Sequence, residues 1–227
     1  TSDCGTTSHR EIALANQLGI DVIVTDHHQI DETMPPALAV MNPHRQGAEY
    51  PFRGLCSGGL AYKVAGAYAT KYGAGELPLE SLLDLVALST IADVVPLTGL
   101  NRALVAQGIK VLAKRENAGL RALADIARIN EAPEAYHLGF VLGPRVNAGG
   151  RVGECDLGAR LLATDDDAEA REIAQRRDMF GGEHARNGGA AAGARLDQRM
   201  LDLERRAIAA ERDVDLVARD VVAPAAL

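Results

Sequence analysis

Seven consecutive residues, Val22-Ile23-Val24-Thr25-Asp26-His27-His28, constrain this chain more than any other stretch. Four β-branched residues run straight into an acid and two adjacent imidazoles, the pattern of a buried strand that delivers polar groups at its carboxyl end. In open α/β sheets ligands bind at that end. Burying such ionisable groups without partners is costly. They are therefore predicted to face a cleft, a metal or a phosphate, the alternative being a polar surface loop.

What precedes this stretch completes a βαβ unit. Thr1-Ser2-Asp3-Cys4-Gly5 reads as the last step of a strand followed by a turn, which suggests an internal segment of a longer protein. Ser8-His9-Arg10-Glu11 matches a capping box. A helix is expected from there, with Ile12, Ala15 and Leu18 as its apolar stripe and Gly19 at its carboxyl end. Asp3 and Asp26 then stand at the carboxyl ends of two parallel strands and open into one crevice. A second short strand is expected over Ala37–Pro43, ending at Asn42-Pro43.

The remainder reads mainly as helix. Leu55-Cys56-Ser57-Gly58-Gly59 leads into a helix from about Leu60 to Lys71; a glycine pair there either cradles an anion or permits close packing. Leu79–Ala92 is too apolar all round for a surface helix. Asp93 closes it where the helix dipole disfavours a negative charge, so that acid calls for a cation or for local hydrogen bonds before Pro96. Asn101 is expected to cap a helix over Arg102–Lys114, and further helices cover Gly119–Ala127 and Ala135–Leu142. Gly143-Pro144-Arg145-Val146-Asn147-Ala148-Gly149-Gly150-Arg151 then combines glycines with guanidinium and amide donors. It reads as a mobile backbone suited to oxyanions. Leu157–Ala163 continues helical, and Asp165-Asp166-Asp167 starts a charged helix to about Arg177. From Gly181 the composition turns Gly- and Ala-rich and reads as a linker, with a tail over 214–227 that has no evident fold.

Composition narrows the class. The chain has 227 residues, enough for a core that needs no disulfide, and Cys4, Cys56 and Cys155 lack the spacing of a disulfide framework or a zinc knuckle. No apolar run approaches a membrane span, so no membrane partner is expected and a cytoplasmic location is the default. A net charge of -7 lacks the basic footprint usual for nucleic-acid binding, unless the basic surface is local. The unusual polar residues, Asp3, Asp26, His27, His28 and Asp93, mix carboxylates with imidazoles. That set suits Mn²⁺, Fe²⁺ or Zn²⁺ better than Ca²⁺, and bridging carboxylates are what a two-metal phosphoesterase requires.

Four elements in order, Asp3-Cys4-Gly5 after a strand, Thr25-Asp26-His27-His28, Ser89 to Leu97 and Gly143 to Arg151, resemble the DHH phosphoesterase superfamily. The last of them, with Leu55 to Lys63, is similar to the branch of bacterial single-stranded-DNA exonucleases, and the resemblance covers residues 1 to about 180. It implies an α/β fold: a parallel sheet with flanking helices forming a partial catalytic domain over residues 1–164. A helical region follows, with a charged connector and tail over residues 165–227.

It also implies metal ligation by Asp3, as a bridge, and by His27 and Asp93. His28 would stand near the phosphate as a catalytic donor, Asp26 would orient the histidines, and Arg145, Asn147 and Arg151 would contact phosphate or DNA. The implied cofactor is a pair of Mn²⁺ or Mg²⁺ ions. The implied activity is 5′→3′ hydrolysis of single-stranded DNA in repair and recombination, with a single-strand-binding protein and a helicase as further partners. The family's earlier aspartate motif, its Gly-rich carboxy-terminal motif and its oligonucleotide-binding domain are not recognisable here, which implies weak metal binding and little activity for the chain alone. The competing readings are a nanoRNase, a nucleoside-bisphosphate phosphatase or a manganese pyrophosphatase of the same superfamily, a non-catalytic remnant, and a doubly wound nucleotide-binding domain.

Overall fold

The computed structural model describes residues 1–72, 78–148 and 156–176. Its α/β part begins with Ser2, which bridges in parallel to Thr25. Helix α1 (His9–Gln17) leads to strand β1 (Ile23–Thr25), and β1 pairs in parallel with β2 (Ala39–Met41) in the register Ile23↔Ala39, Val24↔Val40 and Thr25↔Met41. β1 is thus flanked on both edges, by Ser2 and by β2, and Val24 at its centre is fully buried. Further backbone bonds continue the pairing at the carboxyl end: the Asp3 amide donates to the Thr25 carbonyl (2.9 Å) and the Asp26 amide to the Met41 carbonyl (3.1 Å). The α/β expectation and the two parallel strand ends are therefore present, with the second strand shorter than expected.

Local details of α1 differ. Ser8 holds the N-cap position, but its side chain makes no capping hydrogen bond; the Ser8 carbonyl accepts from Ile12 instead. Of the expected apolar stripe Ile12 is buried, whereas Leu18 stays 68% exposed. Gly19 does take the left-handed conformation (φ +73°) that ends the helix.

The helical part is built around α3. The expected helix over Leu79–Ala92 divides into a 3₁₀ turn (Leu79–Leu82) and α3 (Leu83–Ala92), seven of whose ten residues are buried. Helix α2 (Ser57–Tyr72) packs on one side of it and α4 (Gly99–Lys114) on another. The α3–α4 approach is close because of Gly108, where a Cβ would stand 2.1 Å from the Leu83 carbonyl oxygen. Leu55, Tyr62, Leu83, Val86, Leu104 and Val111 form the smaller apolar cluster between these helices.

The larger cluster joins α3 and α4 to α5 (Ala118–Ile126), a π-helix (His137–Leu142), α7 (Leu157–Ala163) and the helical residues 167–176. Helix α6 (Gly143–Ala148) follows the π-helix directly. Among the described residues no helix is long and apolar enough to cross a membrane.

Three further sequence expectations are corrected. Helix α2 starts at Ser57, so the glycine pair lies in its first turn rather than ahead of it. Asn101 does not cap α4. It sits fully buried inside the helix and donates to the Gly54 (2.6 Å) and Pro96 (3.0 Å) carbonyls, tying two loops together. The stretch expected to be mobile from Gly143 is helical as far as Ala148. The charged helix begins at residue 167, at the end of the acidic run expected to start it, and the Asp166 carboxylate accepts from the amides of Ala168 and Glu169. The connector beyond residue 176, the Gly- and Ala-rich stretch and the tail lie outside the described residues.

Candidate metal centre

The carboxyl end of the sheet assembles the site. Thr25 ends β1, and the chain turns so that Asp26, His27 and His28 leave the strand in succession. The buried Asp26 carboxylate organises that turn. Its Oδ1 accepts from the amides of His27 (2.8 Å) and His28 (3.3 Å) and pairs with His28 Nδ1 (2.7 Å), while its Oδ2 accepts from the Thr6 amide (3.0 Å). Burial pushes this carboxyl up, but hydrogen bonds from Thr6 and His28 outweigh it and hold Asp26 well below the usual carboxylate range. The same bond raises the His28 imidazole above its ordinary value, and a protonated His28 ring presents Nε2 as a donor.

His27 points the other way. Its Nε2 lies 3.2 Å from Asp3 Oδ1 and 3.2 Å from Asp93 Oδ2, and its side chain is only 13% exposed. Neither contact has hydrogen-bond geometry, so Nε2 is a buried nitrogen without a hydrogen bond. Native proteins satisfy almost all such atoms. Bonds of about 2.1 Å to one ion put neighbouring ligand atoms roughly 3.0 to 3.4 Å apart, depending on octahedral or tetrahedral geometry. The observed spacing is that of two atoms sharing a cation.

Asp3, His27 and His28 can each offer one ligand atom within 4.8 Å of the others. Asp93 reaches the same imidazole from the carboxyl end of α3 and is followed by Val94 in the left-handed conformation (φ +57°), a turn that closes the helix there. Burial pushes the Asp93 carboxyl up, His27 counteracts this, and Asp3 raises it further. A bound divalent ion would reverse that balance. The acid at the unfavourable end of an apolar helix thus stands beside a potential metal ligand.

Asp3, Asp26, His27, His28 and Asp93 are therefore brought together from positions far apart in the chain. Arg145 and Asn147 lie on α6, whose first residue, Gly143, packs near Ala92: a methyl placed on Gly143 would come within 3.3 Å of the Ala92 side chain. This sets α6 beside the end of α3. The Arg145 guanidinium donates to the Val141 carbonyl (2.9 Å), and Asn147 is exposed. Arg151 lies outside the described residues.

Sequence reasoning missed three supporting residues. Asn42, taken only as a strand end, is buried and donates to Thr6 Oγ1 (3.1 Å) and to the His28 carbonyl (2.9 Å), while its own oxygen accepts from the His44 amide (2.8 Å). Thr6 joins this network through Asp26. Ser57 Oγ donates to Asp3 Oδ1 (2.8 Å). An amide at the end of the neighbouring parallel strand was the signal available for Asn42; nothing in the sequence pairs Ser57 with Asp3.

Acids and imidazoles converge at the carboxyl edge of a parallel sheet, an arrangement that can hold a divalent ion, and residues 1–90 match the DHH family, N-terminal domain. The particular likeness is to RecJ. The chain is 40% identical over 182 residues to the single-stranded-DNA-specific exonuclease RecJ of Bacillus subtilis, an alignment covering 79% of this chain and 22% of that protein. It superposes on RecJ of Thermus thermophilus in complex with Mn²⁺ with a TM-score of 0.71 and 36% identity, over 81% of this chain and 27% of the other. For the Mg²⁺ complex of the same protein the TM-score is 0.60 at 33% identity, over 73% and 24% respectively. The chain spans between a fifth and a third of the length of the full-length RecJ proteins it matches.

Proposed function

We propose that this chain carries a metal-binding part of an exonuclease that hydrolyses phosphodiester bonds of single-stranded DNA, working from the 5′ end as the family resemblance implies. The carrying observation is His27 Nε2, buried, without a hydrogen bond and flanked at 3.2 Å by two carboxylates. His27, Asp3 and Asp93 would hold Mn²⁺ or Mg²⁺, with Asp3 as the bridging carboxylate of a two-ion site. The ions would lower the pKa of water and polarise the phosphoryl group.

The chain's own groups supply the rest. Asp26 fixes the turn that carries both histidines through their two amides, and the His28 ring through Nδ1. That contact raises the proton affinity of the His28 imidazole, and in its protonated form His28 would donate from Nε2 to a phosphoryl oxygen, where charge develops during displacement. Arg145 on α6, beside the end of α3, would meet the DNA backbone, with Asn147 and Arg151 extending that contact. Net acidity of the chain confines nucleic-acid contact to such local donors. Repair and recombination, with a single-strand-binding protein and a helicase as companions, are the setting proposed for this activity.

The test is Mn²⁺-dependent release of mononucleotides from a long labelled single strand, run beside duplex DNA and short oligonucleotides. In a protein that carries this chain at the full length of its RecJ relatives, the expected result is release from the long single strand, lost in His27→Ala. Cleavage confined to short oligonucleotides would instead indicate a nanoRNase-like enzyme, and neither Mn²⁺ binding nor hydrolysis would indicate a non-catalytic module.

A further inference from the structure

The segment Leu55–Gly59, singled out by the sequence, makes contacts that the proposed reaction does not use. Ser57 is buried at the start of α2, and its hydroxyl donates to Asp3 Oδ1, the same oxygen that lies 3.2 Å from His27 Nε2. Asp3 needs such a hold: it occupies the left-handed backbone region (φ +61°), unfavourable for a residue with a side chain, and its carboxylate is 58% exposed.

One residue earlier, the buried Cys56 Sγ lies 3.4 Å from Ser89 Oγ and 3.5 Å from Thr90 Oγ1, and accepts from the Gly59 amide (3.4 Å). Gly58 lies flat on the same serine, where a Cβ would stand 2.4 Å from Ser89 Oγ. The Ser89 carbonyl in turn accepts from the Asp93 amide (3.0 Å). A single turn of chain therefore reaches both acids that flank His27, Asp3 through the Ser57 hydroxyl and Asp93 through the Ser89 turn.

We propose that Cys56, Ser57 and Gly58 form a bracket that fixes the spacing of Asp3 and Asp93 about His27, with Ser57 a positioning residue that acts through Asp3. This rests on the metal reading above for its consequence, but not for its geometry. A carboxylate ligand with a second hydrogen bond loses orientation when that bond goes, and outer partners of this kind are worth about 10- to 100-fold in metal affinity.

The experiment compares the wild-type chain with Ser57→Ala and Ser57→Thr by Mn²⁺ titration, by the His27 ring ¹H–¹⁵N resonances in metal-free buffer, and by thermal unfolding with chelator. Ser57→Ala is expected to bind Mn²⁺ at least tenfold more weakly, to shift the His27 resonances, and to unfold at the wild-type temperature. Ser57→Thr, which keeps the hydroxyl, is expected to restore affinity to within about threefold, less than the loss expected of an outer-partner mutation. Equal Mn²⁺ affinity in Ser57→Ala and wild type, unmoved His27 resonances in Ser57→Ala, or a Ser57→Thr chain as weak as Ser57→Ala each overturns the bracket. A wild-type chain that binds no Mn²⁺ while Ser57→Ala still shifts His27 overturns the metal reading and upholds the bracket.

Discussion

Replacing Asp26 by Asn tests how far one buried carboxylate organises the whole site. The residue is 1% exposed, and its two carboxylate oxygens meet three backbone amides and one imidazole nitrogen. Asn is nearly isosteric but replaces one acceptor with a donor, so either the Thr6 amide or the histidine turn faces an NH₂ group. Losing one charge-assisted bond costs about 1.5–3 kcal/mol and opposing two buried donors adds about 1 kcal/mol or more, for a net destabilisation of roughly 3 kcal/mol.

Acid should erase that difference. The folded carboxyl sits below its ordinary value of 3.8, so its contribution is complete above that value and is lost as pH falls toward the folded pKa, at about 1.4 kcal/mol per pH unit. Denaturant unfolding of wild type and Asp26→Asn at pH 6 and pH 3 is the assay. The gap should be near 3 kcal/mol at pH 6 and clearly smaller at pH 3. A gap below about 1 kcal/mol at pH 6, or one that does not change with pH, refutes the reasoning.

Other outcomes follow from the same contacts. In Asp26→Asn the His28 imidazole, raised in the wild type by its bond to Asp26, should titrate lower, as an NMR pH titration would show; the wild-type ring keeps its proton to higher pH and loses that contribution to stability as pH rises through the folded value. His27→Ala and Asp93→Asn should each abolish Mn²⁺ binding in a calorimetric titration while circular dichroism stays that of the wild type, since neither residue belongs to the apolar clusters. Gly108→Ala should destabilise by about 2–3 kcal/mol or more, because its methyl meets the Leu83 carbonyl and α3 and α4 must separate. Wild-type stability in Gly108→Ala would show that the helices yield freely.

The sheet edge was legible in the sequence because strand and chemistry coincide in one short run: β-branched residues fix β1, and the next three residues carry a buried acid and two imidazoles. Asp93 was half legible: an acid at the wrong end of an apolar helix calls either for a cation or for local hydrogen bonds, and only the resemblance to the DHH superfamily tipped the reading toward a metal. Ser8 and Asn101 misled because Ser and Asn favour cap positions in general, whereas here a backbone turn and two loop carbonyls compete for the same groups. The Gly143 stretch misled through its composition: glycine content suggested mobility, but Gly143 is small so that α6 can lie against Ala92. Thr6 and Ser57 were illegible because their partners Asp26 and Asp3 lie twenty or more positions away, and only the folded chain brings them together.

The central claim is that His27 Nε2 shares a divalent ion with Asp3 and Asp93. Crystals of the chain soaked in MnCl₂, with diffraction recorded at the manganese edge, test it most directly. The account predicts an anomalous peak within about 2.3 Å of His27 Nε2 and in contact with both carboxylates. Manganese bound elsewhere, with the His27 ring hydrogen-bonded to one of the two acids, would contradict it.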